Sequence, residues 1–170
     1  METIEIEVPI WERHNGNMAG TAPRVPEGKL IEAGRLEARE AYTKAYKERL
    51  AASETRLCKA VLPNTTNHYN TLFGGTAMML MDEVAFICAT RFARKRMVTA
   101  SSDRIDFKRP IPAGTIIELV ARVSYVGNTS LKVRVDILVE GMYSFECEKA
   151  ISGELTFVAV DEHKQPVSIL

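Results

Sequence analysis

The sequence predicts an α+β domain in which one long buried helix is wrapped by a curved antiparallel sheet of five to six strands. The first observation is that residues 75–94 are apolar on nearly every side when they are projected as a helix. The second is the series of long alternating apolar and polar segments that follows, separated by short turns. Only a strongly curved sheet can bury one helix on so many sides, and a second subunit would have to complete the cover.

The chain divides into an N-terminal extension, residues 1–54, and a domain, residues 55–170. Prolines and glycines punctuate residues 1–28, which predicts irregular structure there. From about residue 29 to 52 alanine, glutamate, lysine and leucine dominate, and opposite charges such as Glu40 and Lys44 lie one helical turn apart. This stretch predicts an exposed helix that lies on the domain or on a partner subunit.

The domain begins with alternating residues at 55–62, which predict a strand closed by Pro63 and Asn64. A polar turn and a glycine pair then lead into the long helix. Further strands are predicted at 98–107, 115–126, 131–140 and 143–160, the last with a bulge near Gly153. The short turns between these strands indicate antiparallel pairing.

Composition argues against several classes of function. Of the 170 residues, 46% are hydrophobic, so the chain can bury a core and is not disordered by composition. A formal net charge of zero argues against nucleic acid or a membrane surface as the main partner. No apolar run is long enough to span a bilayer, and the acidic N-terminus lacks a secretory or transit signal. We therefore expect a cytoplasmic protein.

Three cysteines, Cys58, Cys88 and Cys147, are widely separated in the sequence. Their spacing matches no metal site, and an odd number does not suit a disulfide framework. They predict buried free thiols in a reducing compartment.

The stretch from Asn67 to Glu83 carries the candidate chemistry. It contains the glycine pair Gly74-Gly75 at the start of the helix and an acidic residue, Asp82, about two turns further along. Glycines let the backbone approach a ligand closely, and a helix N-terminus presents free N–H groups and a partial positive charge. Burying a carboxylate in an apolar helix costs free energy. Asp82 therefore has either a structural role, as a cap or in a salt bridge, or a role in acid–base chemistry.

Distinct signatures occur in order at residues 67–75, 81–85, 98–101, 106–110, 114, 127–130, and 158–162 followed by 164–166. Together they resemble the acyl-CoA thioesterases of the hotdog fold, in particular the bacterial YciA-type and the brain-type cytosolic hydrolases. The resemblance covers about residues 55–167 and leaves residues 1–54 outside it. That family usually has glycine where Asn70 stands. Asparagine tolerates a left-handed backbone better than most residues, so the turn is predicted to form.

The resemblance implies hydrolysis of an acyl-CoA to a free carboxylic acid and CoA, with no metal and no redox cofactor. Asp82 would be the general base that activates water, or alternatively a nucleophile that forms an anhydride. The helix N-terminus at Gly75 would hold the oxyanion. Asn67 would help to hold the water or the carbonyl, facing the Asp82 of a second subunit; the structural alternative is an Asx turn.

Binding of CoA requires positive charge for its phosphates and backbone edges for its pantetheine arm. Four cations are candidates for the phosphates, with a solvated surface charge as the structural alternative for each. These cations are Arg91, Arg104, Lys108 and Arg109. The residues expected to contact the rest of the substrate are Gly74, Thr99, Ala100, Ser101, Ser102, Gly127, Asn128, Thr129 and Ser130.

Two alternatives remain beside the hydrolase. One is a non-catalytic acyl-CoA-binding hotdog regulator with an N-terminal DNA-binding region, which the balanced charges of residues 1–50 disfavour. The other is a hotdog hydratase or dehydratase, which would need a histidine paired with an acid. His14, His68 and His163 occur in no such arrangement. The expected partners are the acyl-CoA and further copies of the chain, as a dimer with paired sheets assembled into a trimer of dimers.

Overall fold

The structure is a computed structural model that describes residues 32–170, so the predicted irregular structure at 1–28 lies outside the described residues. Both helices and every long strand occur within a few residues of their predicted positions. In chain order the elements are α1 (Glu32–Ser53), β1 (Thr55–Ala60), a short 3-10 turn (Pro63–Thr65), α2 (Gly74–Ala93), β2 (Arg96–Ser102), β3 (Asp106–Phe107), β4 (Thr115–Val126), β5 (Ser130–Gly141) and β6 (Cys147–Val160).

The strands form one six-stranded antiparallel sheet in the order β1-β4-β5-β6-β2, with the short β3 pairing with β6 beside β2. The sheet curls around α2, which contacts β1, β2, β4, β5 and β6. This is the hotdog arrangement, and the prediction of one long helix wrapped by a curved antiparallel sheet is confirmed. The strands β1 and β2 form the two edges of the sheet.

Two local differences from the sequence prediction occur in β6 and in the segment that pairs with it. The predicted strand at 98–107 is interrupted between β2 and β3, where the side chain of Ile105 packs on the core. The β6 bulge lies at Ala150, because the register passes from Ile151 directly to Lys149 against consecutive residues of β5. Gly153 pairs regularly; a Cβ there would lie 2.9 Å from Ile105 Cγ1, so close packing explains this glycine.

The two faces of α2 differ in burial. Its inner face, which includes Met81, Ala85, Cys88 and Phe92, is fully buried against the sheet, as predicted. Its outer face is left uncovered by the described residues: Met79, Phe86 and Ile87 are 59%, 42% and 40% exposed. A sheet covers only the side of a helix that it contacts, so the remaining apolar surface needs another cover.

The cysteines are all free, but only Cys88 is buried. Burial raises the pKa of its thiol to about 11. Cys58 and Cys147 are exposed, so the prediction of burial is wrong for these two. The reason is their position, since Cys58 lies on the edge strand β1 and Cys147 begins β6 beside the β5–β6 turn.

The helix α1 packs its last turns against the C-terminal end of α2. The ring of Tyr46 meets Phe92 edge-on at a centroid distance of 6.0 Å, and the Arg49 guanidinium lies 5.0 Å from the same ring. Arg49 also donates to the carbonyl of Ala93 at 3.1 Å. It thereby satisfies a carbonyl at the negative end of α2, so the predicted helix lies on the domain.

Candidate active site

Asp82 lies two turns into α2 and faces the edge strand β2. Its Oδ1 accepts a hydrogen bond from the hydroxyl of Thr99 at 2.9 Å. The residue is half-buried, whereas the preceding Met81 is fully buried. Within residues 40–170 no salt bridge and no second hydrogen bond reaches this carboxylate. The second oxygen is therefore free to bind a water molecule.

Thr99 lies beside a bulge in β2. It pairs with Phe157 of β6, Ser101 pairs with Thr156, and Ala100 between them has no partner. Bulges change the direction of neighbouring side chains and often lie next to active sites. Sequence reasoning placed Thr99 in a substrate wall and missed its bond to Asp82. A signal was available, because β2 directly follows α2 and consecutive elements are usually neighbours.

Asn67 organises the turn that leads into α2. Its Oδ1 accepts hydrogen bonds from the backbone N–H of Tyr69 at 2.9 Å, from the N–H of Thr71 at 3.2 Å and from the hydroxyl of Thr71 at 3.1 Å. This is the Asx turn of the structural interpretation. Since the oxygen accepts all three bonds, the amide NH2 is left as a donor, and it has no partner among the described residues.

Asn70 occupies the tip of the same turn in a left-handed conformation, with φ 56°. Its N–H donates to the carbonyl of Asn67 at 3.0 Å, and its own carbonyl accepts from the N–H of Ala113 at 2.9 Å. The prediction that the turn forms with asparagine in place of glycine is confirmed.

The helix α2 begins at the glycine pair. Phe73 is the N-cap residue and provides no side-chain cap, and the first turn contains no acidic residue. The first amide groups of a helix have no partner within it. The ring of Phe73 lies against Gly75, where an added Cβ would come within 2.6 Å of the ring carbon Cε1. Glycine at this position therefore leaves room for the ring at the start of the helix.

A cleft of about 270 Å³ lies beside this helix start. Four predicted site residues line it together: Asn67, Gly74, Lys108 and Arg109. The remaining wall is mostly apolar and consists of Thr71, Leu72, Phe107, Pro110, Ile111 and Ile151.

The two cations of the cleft differ in their pairing. Arg109 forms a salt bridge with Glu148. Lys108 is exposed and has no ion pair among the described residues, while its backbone N–H anchors it to the carbonyl of Ala150 at 2.9 Å. Lys108 is therefore the cation of this cleft that is free to meet an anionic ligand.

Asp82 and Thr99 do not line this cleft. Within the described part of the chain no hydrogen bond joins Asn67 to Asp82. One chain thus presents two separate groups of polar atoms: a carboxylate with its hydroxyl partner, and a cleft with an amide donor and a free cation.

The remaining predicted substrate contacts lie on either side of β6. Thr99 of β2 stands opposite Phe157, and Ser130 of β5 stands opposite the next residue, Val158. Two strand spacings separate β2 from β5, about 10 Å. The turn Gly127–Ser130 is closed by a bond from the N–H of Gly127 to the carbonyl of Ser130 at 2.7 Å. The two predicted walls, 99–102 and 127–130, therefore lie at the same end of β6.

The other two predicted phosphate ligands have partners inside the chain. Arg104 forms a salt bridge with Asp106 at 2.6 Å. Arg91 donates to the carbonyl of Glu54 at 2.9 Å and lies about 14 Å further along the helix axis than Asp82. The structure does not bring Arg91 to the cleft, and a role with phosphates stays a prediction for both arginines.

The described residues contain neither a metal-binding cluster nor a membrane-spanning helix. In the part of the chain that the structure describes, no group of three histidine, cysteine, aspartate or glutamate residues could hold a metal ion. Among the same residues, neither helix is long and apolar enough to cross a membrane.

Comparison with known proteins identifies relatives that are named as thioesterases or acyl-CoA thioester hydrolases. A model of the Thioesterase superfamily matches residues 69–145. The chain is 40% identical over 124 residues to the uncharacterized acyl-CoA thioester hydrolase YkhA of Bacillus subtilis. This match covers 68% of this chain and 72% of that protein. It is 31% identical over 121 residues to the cytosolic acyl coenzyme A thioester hydrolase of Rattus norvegicus; here the match covers 69% of this chain but 31% of the rat protein.

Solved structures show the same similarity. The acyl-CoA hydrolase of Staphylococcus aureus, in complex with butyryl coenzyme A, coenzyme A and coenzyme A disulfide, matches with a TM-score of 0.68 at 39% identity, over 70% of this chain and 73% of that one. An apo-hexameric acyl-CoA thioesterase matches with a TM-score of 0.68 at 36% identity, over 70% of this chain and 76% of that one.

The Staphylococcus aureus hydrolase has also been solved with single alanine substitutions of an asparagine, an aspartate and a threonine. In that protein the asparagine precedes the aspartate by 15 residues, and the aspartate precedes the threonine by 17 residues.

Proposed function

The chain belongs to the thioesterase superfamily, and we propose that it hydrolyses acyl-CoA thioesters to a free carboxylic acid and CoA. The observation that carries this proposal is the carboxylate of Asp82, which Thr99 holds through one oxygen while the other oxygen stays free. The spacing supports the assignment: Asn67, Asp82 and Thr99 lie 15 and 17 residues apart, like the three substituted residues of the Staphylococcus aureus hydrolase.

Asp82 acts as the general base. Its free oxygen takes a proton from water as the water oxygen attacks the thioester carbonyl, and the carbonyl oxygen becomes an oxyanion. The amide groups at the start of α2, with Gly75 first among them, stabilise this oxyanion. The C–S bond then breaks, and the proton held by Asp82 passes to the leaving CoA thiolate, which restores the carboxylate.

Asn67 contributes a donor rather than an acceptor. Its Oδ1 is committed to the turn by three hydrogen bonds, so only the NH2 group can contact a substrate carbonyl or the attacking water. Because Asn67 and Asp82 are not joined within one chain, the complete site contains Asn67 from one subunit and Asp82 from another.

A dimer with paired sheets explains two exposed surfaces. The edge strand β2 presents unpaired backbone groups, and exposed edges invite pairing with another chain. On the outer face of α2, Met79, Phe86 and Ile87 are exposed, and a patch of this kind marks an interface. We assign both to the dimer contact. The hexameric relative supports further assembly into a trimer of dimers.

The cleft beside the helix start is the proposed entrance for CoA. Lys108 is the free cation there and is assigned to the CoA phosphates. The walls at 99–102 and 127–130 are assigned to the pantetheine arm. The proposed reaction uses water, a carboxylate and amide donors, without a metal or redox cofactor. It takes place in the cytoplasm, as the name of the rat relative states for that protein.

The proposal is tested by measuring release of free CoA from a panel of acyl-CoAs of different chain lengths. Wild type should turn over at least one of them, and Asp82→Ala should abolish turnover. Glu83→Ala is the matched control, because it removes the adjacent carboxylate, which is exposed on the same helix. The proposal fails if wild type hydrolyses none of the panel, or if Asp82→Ala is as fast as wild type.

The nucleophilic alternative for Asp82 requires a separate measurement. A single turnover with excess enzyme in H2¹⁸O separates the base from a nucleophile whose anhydride is cleaved at the aspartyl carbonyl, because that cleavage leaves an oxygen of the carboxylate in the first product. With Asp82 as base, the first molecule of carboxylic acid contains ¹⁸O. An unlabelled first product, followed by labelled ones, would establish the anhydride route instead.

A further inference from the structure

The turn between β5 and β6 carries an exposed aromatic cluster. Tyr143 is 99% exposed, Phe145 is fully exposed, and Met142 is 39% exposed. The turn between them is ordered. The N–H of Ser144 donates to the carbonyl of Gly141 at 3.2 Å, and the Ser144 hydroxyl accepts from the N–H of Glu146 at 3.1 Å. We call residues 142–145 the aromatic tip. Large apolar side chains held in water by an ordered turn indicate a contact surface.

Acidic side chains surround this tip. Glu140, Glu146 and Glu148 line a cleft of about 300 Å³ at its base. Glu148 is paired with Arg109, which leaves the other two carboxylates without a cation among the described residues. This charge disfavours a membrane with anionic lipids as the partner, since like charges repel. It favours a partner that is basic and can also contact aromatic rings.

A basic corner of the same chain has these properties. Arg94, Lys95 and Arg96 are exposed where α2 ends and β2 begins. Arg96 pairs with Glu162 at 3.3 Å, and Lys95 reaches the carbonyl of Ser168. The Arg94 side chain has no hydrogen bond or ion pair in the part of the chain that the structure describes. Arginine stacks on aromatic faces and pairs with carboxylates, so this corner complements the aromatic tip in both respects.

The tip cannot reach the corner of its own chain. The tip precedes the first residue of β6, whereas Arg96 pairs with Val160, the last residue of β6. The strand between them is about 43 Å long. A contact between tip and corner must therefore join two different copies, head to tail. A contact of this heterologous type closes into a ring or continues as a fibre.

We infer that the aromatic tip of one copy docks on the basic corner of the next, and that this contact joins dimers into a closed ring of three. Tyr143 and Phe145 stack on Arg94, while the carboxylates at the base of the tip pair with the charges of Arg94 and Lys95. This inference deepens the proposed assembly and rests on it, but it is independent of the proposed reaction.

Light scattering coupled to size-exclusion chromatography tests the inference through the molar mass in solution. Wild type should have the mass of a hexamer. The molar mass of the double variant Tyr143→Ser/Phe145→Ser should be about threefold lower, that of a dimer, and its far-UV circular dichroism spectrum should be unchanged. The control is Lys59→Glu, which reverses an exposed cation on β1 that has no ion pair among the described residues, and it should keep the hexamer mass.

A charge exchange identifies the partner surface. Glu146→Arg and Arg94→Glu should each weaken the hexamer, and the two substitutions together should restore it. An unchanged mass for the aromatic double variant overturns the inference, as does dissociation without rescue by the charge exchange. Binding of wild type, but not of the double variant, to phosphatidylcholine–phosphatidylglycerol vesicles at unchanged mass also overturns it. Release of CoA by the same samples reports separately on the proposed reaction.

Discussion

The two polar residues of the proposed site are held in opposite ways. Asp82 projects from a helix whose inner face is fully buried, and it accepts one hydrogen bond. Asn67 lies in a surface turn, and its side-chain oxygen accepts three. The helix fixes Asp82 through the packing of its neighbours and leaves an oxygen free for water. The turn fixes Asn67 through its own side chain and leaves only the NH2 free.

This difference teaches which atom of each residue can take part in the reaction. A residue on a packed helix needs few bonds of its own to be oriented, so its polar atoms stay available. A residue in a loop uses its polar atoms to build the loop. Asp82 should therefore tolerate no change of its chemistry, whereas the structural and functional roles of Asn67 can be separated by substitution.

The largest effect is expected for Asp82→Asn. The amide has the shape of the carboxylate and can still accept the bond from Thr99, but it cannot take a proton from water. Turnover should fall about 1,000-fold, because general bases contribute effects of this size. The measurement is kcat for CoA release, with the melting temperature as a check on folding. A variant that retains one tenth of wild-type kcat would contradict the role of base.

The next largest effect separates the two roles of Asn67. Asn67→Asp keeps an acceptor for all three hydrogen bonds of the turn but removes the NH2 donor. It should retain the wild-type melting temperature and lose about 100-fold in kcat, the scale of one lost oxyanion donor. Asn67→Ala removes the acceptor as well and should lower both the melting temperature and kcat. If Asn67→Asp has normal kcat, the residue is only a turn former.

A smaller effect is expected where the hydroxyl of Thr99 meets Asp82. Thr99→Val keeps the shape of the side chain and removes the hydrogen bond, so Asp82 loses the contact that orients it. A bond to a charged group contributes about 1.5 to 3 kcal/mol, which makes a tenfold loss in kcat a fair expectation. KM should change little. Thr99→Ser should recover turnover, and failure of serine to do so would mean that packing, not the hydroxyl, matters.

The smallest effect concerns the backbone of the turn at Asn70. The left-handed conformation costs an ordinary residue about 1 to 2 kcal/mol, glycine nothing and asparagine an intermediate amount. Asn70→Ala should lower the melting temperature by a few degrees, about 1 kcal/mol of stability. Asn70→Gly should equal or exceed wild type, with turnover unchanged. Thermal unfolding followed by circular dichroism measures the melting temperatures of wild type, Asn70→Ala and Asn70→Gly. Equal melting temperatures for the three proteins would show that the turn is not strained.

The sequence predicted the fold because its periodic patterns are local. The helix at Gly74–Ala93 and the strands Thr115–Val126 and Ser130–Gly141 lie almost where the apolar spacing placed them. The irregularities were less predictable. At the interruption between β2 and β3, Ile105 packs beside Gly153. At the bulge, the carbonyl of Ala150 accepts from the N–H of Lys108. Both contacts join residues far apart in the chain.

For the site, the sequence by itself determined which residue types are present and their spacing: Asp82 after a glycine pair, Asn67 in a polar turn, and Thr99 in the following strand. Only the tertiary structure decided how they are used. It joined Thr99 to Asp82 across two elements, occupied the oxygen of Asn67 in its own turn, and left Lys108 free while pairing Arg104 and Arg109. Hydrogen bonds of this kind depend on distances between elements, which no periodicity along one strand or helix can encode.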